Sequence, residues 1–215
     1  MSKQERATRT RRALIQSAAH VFDQGGYTRA RIEQVSQGAG VSRGALFFHF
    51  ANKEALADAV EADAARSLRS VTCAVYRRRE SALQALVDST HALARLLRHD
   101  LVVRGGFQVS CDMARGSGRE LWEQWQAHVD RLLREAVDAG DLLAGASRRD
   151  AVRTVVAATA GFRTLGHDDE DWLSPLALTC FWRLLLPRLA TPAALAALRP
   201  EGSPVPPAPG ATPTN

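Results

Sequence analysis

Arg43 stands near the head of the run Ser42-Arg43-Gly44-Ala45-Leu46-Phe47-Phe48-His49, whose residue types and spacing suit contact with the edges of DNA bases. A guanidinium there can donate two hydrogen bonds to N7 and O6 of a guanine, the commonest specific base contact. Gly44 keeps one side of the run low, so a large partner can come close. Ala45 and Phe47 offer apolar contact to thymine methyls, and Ser42, Phe48 and His49 complete the outward set. Lys53 follows at the start of another helix, where its charge and the free backbone amides can both hold a phosphate. Arg9, Arg11 and Arg12 would track the phosphate backbone and steepen the loss of affinity with salt.

Such a run reads DNA only if neighbouring elements hold it. A glycine turn, Gly38-Ala39-Gly40, joins it to a short preceding helix carrying Ile32 and Val35, which gives a helix-turn-helix. Val41, Leu46 and Phe50 can pack on Ile32 and Val35, and Ser42 can cap the second helix. Upstream, Leu14, Ile15, Ala18, Ala19 and Phe22 give one apolar face to a first helix over about 5–24, closed by Gly25-Gly26 where a left-handed residue is needed. Asn52 can cap a fourth helix running toward Tyr76. The glycines do not form a dinucleotide fingerprint. Their GxGxxxG spacing is one residue too long, and a helix precedes them where a strand is required.

Charge supports the assignment by where it sits. Residues 1–53 hold nine Lys/Arg against three acids, whereas the remainder holds 19 against 20, so the whole excess of the 215-residue chain's +5 lies in the first quarter. A merely solvated basic hairpin would show the same charge.

The rest of the chain repeats at helical spacing, with helices expected over 79–99, 101–113, 119–139, 147–165 and 171–187, and no sustained alternation. The fold class is all-α: a DNA-binding domain over 1–51, a helical bundle over 52–199, and a disordered proline-rich tail over 200–215. Cys73, Cys111 and Cys180 lack CxxC spacing and are expected as buried thiols in a cytoplasmic protein. No membrane span and no signal peptide is expected. His91 and His99 are eight apart and His128 lies alone, so neither a metal nor another cofactor is implied. HExxH and P-loop motifs are absent, which argues against an enzyme.

Tyr27, then Gly40-Val41-Ser42-Arg43-Gly44-Ala45-Leu46, His49-Phe50 and Lys53-Glu54-Ala55-Leu56 fall in the order and spacing of the TetR repressor signature. Within that family the chain resembles the γ-butyrolactone autoregulator receptors of streptomycetes. The likeness extends to Gln4-Glu5-Arg6-Ala7, Val103-Arg104-Gly105-Gly106 and Trp125. Three positions depart from the pattern. Phe47 replaces a tyrosine and loses a phenol-to-phosphate bond. Ala30 and Arg31 replace a Thr/Ser pair that would cap the second helix, with Arg31 able to restore a phosphate contact by charge. Ala64 stands where a glutamine would face the ligand, which favours the pseudo-receptor branch of the subgroup.

The resemblance implies a ligand-released repressor that acts as a homodimer on double-stranded operator DNA and controls secondary metabolism. Its signal would be a small hydrophobic molecule, a butyrolactone-type autoregulator or an antibiotic. It also implies that Trp125 lines the ligand pocket; Phe107, Leu121, Leu86, Thr159 and Phe162 are candidate neighbours by apolar or small character at helical spacing. By default Trp122 and Trp125, three apart on one helix, are core. The last two helices carry more apolar surface than one contact requires, as a four-helix dimer seam needs. Packing within one subunit and a ligand-independent DNA-binding protein stay open as alternatives.

Overall fold

A computed structural model describes residues 2–112 and 120–204. Among them are ten α-helices and a 3-10 turn. The first helix, α1 (Lys3–Arg29), starts at a capping box in which Ser2 and Glu5 satisfy each other's amides. It breaks at Gly26, whose φ of +70° supplies the left-handed residue that the Gly25-Gly26 pair calls for. Then come α2 (Ile32–Gly38) and α3 (Arg43–His49), joined through Gly40 at φ +66°. Both expected caps are in place: Ser42 accepts from the Ala45 amide at 3.1 Å and Asn52 from the Ala55 amide at 2.8 Å, opening α4 (Lys53–Arg78). At the altered start of α2, the Arg31 amide is satisfied instead by the Gln34 carboxamide at 3.1 Å.

Leu14, Ala18 and Phe22 of α1, Val35 of α2, Leu46 and Phe50 around α3, and Leu56 and Val60 of α4 form one apolar core. The larger core gathers α4 from Ala64 onward with α5 (Ala82–His99), α6 (Leu101–Cys111), α7 (Glu120–Asp138), α8 (Arg148–Leu165) and α9 (Pro175–Leu189). The 3-10 turn, Glu170–Leu173, leads into α9.

Helix α6 belongs to both cores. Val109 reaches the first, while Val103 and Phe107 sit in the second. Its glycine pair makes this possible: a Cβ on Gly105 would lie 2.5 Å from the Ala19 carbonyl oxygen, and one on Gly106 would collide with the Ala64 methyl. Only glycine permits so close a backbone approach on both sides. The Arg104 Nε to Asp23 Oδ2 pair at 3.0 Å, with the Asp23 carboxylate buried, and a hydrogen bond from the Thr28 amide to Asp112 at 3.2 Å fasten the two ends of α6 to α1.

Three expectations need correction. All three cysteines are exposed rather than buried, because each falls on the solvent side of an amphipathic helix. The tail does not begin at 200: Gln84 exchanges two hydrogen bonds with the Arg199 backbone, His91 meets the Pro200 carbonyl, and the Ser203 amide donates to Asp88 at 2.7 Å. Backbone groups thus hold a segment that lacks any apolar periodicity. Finally, the helix expected over 171–187 is split by Ser174, which caps α9 with Pro175 in its first turn, and α10 (Pro192–Ala197) was not anticipated. The separator expected at Gly116-Ser117-Gly118, the last residue of the 101–113 helix and the tail beyond 204 lie outside the described residues.

Candidate nucleic-acid interface and ligand core

α3 has only seven residues and buries one of them fully, Leu46. The opposite side is unusually open. Phe48 is 82% exposed and Phe47 41%, with Ser42, Arg43 and Gly44 also exposed and Ala45 and His49 half-buried. Arg43 is not left to wander: its guanidinium pairs with Glu33 of α2 at 2.7 Å and lies over the Phe47 ring at 5.5 Å. The position without a phenol hydroxyl thus serves as a platform for the Arg43 guanidinium. Because the pair is exposed, it holds geometry more than it adds stability.

The other predicted DNA contacts divide. Arg9, Arg12 and Arg31 are exposed, and Arg11 lies over the Phe50 ring at 5.1 Å. Lys53 is folded back, its ammonium donating to the Thr28 carbonyl at 3.2 Å above the Tyr27 ring. Burial lowers its pKa from the ordinary lysine value, and the Asp112 carboxylate pulls the other way. With one N–H given to Thr28, the ammonium keeps further donors for a phosphate.

In the second core, Trp125 is fully buried and its indole donates to the Thr159 hydroxyl at 3.0 Å; that hydroxyl in turn donates to the Val155 carbonyl. Leu86, Leu121 and Phe107 are buried in the same core, with Phe107 edge-on to Trp122 at 4.9 Å. Phe162 stands apart: it is half-buried and packs against Phe181 of α9. Leu121 and Phe107 touch the α6–α7 seam, so this core lies directly behind the helix that grips the DNA-binding head.

The sequence reading missed a second polar pair there. Ser89 Oγ lies 2.9 Å from His128 Nε2, both buried, and Arg131 Nη2 lies 3.1 Å from His128 Nδ1. A guanidinium can only donate, so Nδ1 accepts and Nε2 carries the hydrogen that it gives to Ser89. Burial and Arg131 lower the imidazole pKa to about 4, with Glu135 opposing, and keep it neutral. This polarity is the reverse of a serine nucleophile with its base. The signal that could have found the pair is His128 three residues after Trp125, on the same face of α7.

The described residues contain no group of three or more His, Cys, Asp or Glu that could hold a metal ion. No helix among them is long and apolar enough to cross a membrane.

Residues 14–60, from the apolar face of α1 through α3 into α4, match the profile of bacterial regulatory proteins of the tetR family. Over 94% of its length the chain is 32% identical to the A-factor receptor protein of Streptomyces griseus, covering 71% of that protein. The chain belongs to the TetR family of transcriptional regulators. The TetR fold extends past the DNA-binding head. A γ-butyrolactone receptor structure superposes with a TM-score of 0.77 at 29% identity, covering 89% of this chain and 93% of the other. The TetR protein CprB of Streptomyces coelicolor, solved with its operator sequence, gives 0.76 at 29% identity, covering the same shares. TetR regulators bind operator DNA, and Arg43 and its neighbours lie within the matched residues 14–60.

Proposed function

We propose that this regulator is a homodimeric repressor released from its operator when a compact hydrophobic molecule, a butyrolactone or a related secondary metabolite, enters the Trp125 core. The observation that carries the proposal is α6: one glycine pair presses on Ala19 of the head and on Ala64 beside the Trp125 core. A ligand wedged between α7 and α6 moves the helix that Arg104 and Asp112 fasten to α1, and so resets the distance between two reading heads. It does so only by preferring the conformation that does not fit the operator.

Trp125, Thr159, Leu86, Leu121 and Phe107 form the recognition wall, to which we add Ser89 and His128 as the polar partners of a carbonyl or hydroxyl. Phe162 belongs to its margin. Ala64 contacts the Gly106 backbone, leaving the place of a ligand-facing glutamine to a methyl group, which supports a signal other than the usual butyrolactone. We extend the reading to control of secondary metabolism, which the 32% identity to the A-factor receptor protein supports.

The dimer seam is assigned to α8 and α9. Leu176 and Leu184 are 69% and 80% exposed on one side of α9, and Leu165 and Trp172 extend the patch. A single subunit leaves this surface wet. Pairing also supplies two half-sites about one helical turn apart, which α3 needs to build specificity. Phosphate contacts are assigned to Arg9, Arg12, Arg31 and Lys53, with Ser42, Gly44, Ala45, Phe47, Phe48 and His49 flanking Arg43 in the groove.

Gel shifts on the promoter of its own gene, with and without a synthetic γ-butyrolactone or a culture extract, test the reading. Sequence-selective retardation at physiological salt, relieved by ligand, is expected. Binding that no addition relieves removes the ligand, and absence of selective retardation removes the repressor.

A further inference from the structure

α5 has two working faces. At 100° per residue, Leu86, Ser89, Leu93 and Leu97 point one way, toward the Trp125 core, and Asp88, His91, Arg95 and His99 point the other. The second face forms the bed of a groove of about 1190 Å³. Neither Trp125 nor any of the five residues expected around it lines the groove, and the exposed Leu176 and Leu184 lie on the far side of α9 from Leu178, which does. The groove is therefore separate from both the ligand core and the dimer face.

Its walls differ in chemistry. Val71 and Val75 of α4, Leu96 of α5, and Leu173 and Leu178 beside α9 supply an apolar lining. The mouth is mixed in charge: four arginines, Arg78, Arg95, Arg98 and Arg199, stand with four acids, Glu80, Asp88, Asp100 and Glu201. Asp88 is occupied by Gln84 and the Ser203 amide, and Asp100 by the first amides of α6. Glu80 is taken by Arg199, while Arg98 reaches out to Glu170. Arg78 and Arg95 line the groove with no ion pair among the described residues. Arg199 Nε is also enclosed without an acceptor. An enclosed donor without a partner costs free energy that an incoming oxygen would recover.

The 199–204 segment closes one side, pinned to α5 by the hydrogen bonds of Gln84, Asp88 and His91. Because those contacts are polar and few, the strap can settle onto a ligand without unfolding the bundle.

We propose that this groove is a second small-molecule site, for an amphipathic carboxylate: an apolar chain against Val71, Leu96 and Leu178, and a carboxylate held by Arg78, Arg95 and the free Nε–H of Arg199. An Arg–carboxylate contact of this type is charge-assisted, which separates the acid from a neutral molecule with the same chain. The volume accommodates a chain on the order of ten carbons with room to spare.

Calorimetric titration of the full-length protein with decanoate, and with 1-decanol as the neutral counterpart, tests this. Expected are one decanoate per protomer, decanol binding about tenfold weaker or less, and a loss of about tenfold or more in the Arg78→Gln/Arg95→Gln double variant. Trp125→Phe is expected to leave decanoate binding unchanged. Hydrogen exchange of 199–204 and of the outer face of α5 should slow on binding. No binding, equal affinity for decanol, or a double variant that binds like the parent overturns the proposal. So does a loss confined to Trp125→Phe without protection of 199–204, since that places decanoate in the other core. Both arginines are exposed, and thermal melts verify that the double variant folds.

Discussion

α3 and α7 solve opposite problems. α3 is seven residues long, buries Leu46 and presents an arginine and two phenylalanines to solvent, whereas α7 is nineteen residues long and buries Leu121, Trp125, His128, Val129, Leu132 and Leu133. The first keeps its polar partners at the surface, where Glu33 lies against Arg43; the second pairs the Trp125 indole and His128 Nε2 with the buried hydroxyls of Thr159 and Ser89. A reading surface has to exchange its partners for DNA at little cost, and an exposed pair worth under about 1 kcal/mol allows that. A core pair cannot be opened so freely, because each group left alone costs about 1–3 kcal/mol.

Trp125→Ala offers the sharpest break in this contrast. Removing a fully buried indole is expected to lower stability by about 3–5 kcal/mol in urea denaturation at fixed protein concentration. Trp125→Phe keeps most of the volume and is expected to bind operator normally while losing release by ligand. Normal release by the phenylalanine variant would take Trp125 out of the pocket.

Gly105→Ala tests the link between the regions. A methyl group must displace Ala19 backbone atoms, so a loss of about 2–3 kcal/mol is expected, together with weakened operator binding. A variant as stable as the parent would show that α1 and α6 can part without harm.

Acid separates the two regions by titration. His128 has its pKa depressed from 6.5 to about 4 in the folded protein, so the unfolded chain binds more protons between those values. Stability is complete above pH 6.5 and falls as pH drops toward 4, by about 2 kcal/mol between pH 7 and pH 5. His128→Gln should flatten that slope in chemical denaturation measured across the range. An unchanged slope assigns it to another group.

The smallest effect is at the surface. Arg43→Ala should cut discrimination between operator and random DNA by about tenfold with little change in fold stability, whereas Lys53→Ala weakens both alike. Equal losses in the two variants would argue against a base contact from Arg43. Glu33→Gln, which frees Arg43 without removing it, should show a fraction of that loss of selectivity in the same competition assay.

Much of the architecture was legible because its causes are local. Ser42 and Asn52 cap helices three residues ahead, Gly26 and Gly40 take positive φ, and the apolar spacing of α5 and α7 needs no distant partner. Phe47 beside Arg43 could be read as a lost hydroxyl, yet its use as a platform depends on the side chains' common direction. The cysteines were misread because a small apolar side chain at helical spacing does not by itself say which face is wet. The Pro200 segment was misread because its anchors are backbone atoms, which leave no trace in side-chain pattern.

An all-helical chain, a basic head with Arg43 at the start of its third helix, and a buried tryptophan on α7 can be read from the residues in order. All of these follow from interactions spanning a few residues or from charge counted along the chain. It takes the packed helices to show that Glu33 holds Arg43, that Ser89 meets His128 across 39 positions, that α5 turns a second face to a separate groove, and that Gly105-Gly106 lets α6 press on head and core at once. Each depends on which helices cross and how closely, a property of packed volumes that no local pattern encodes.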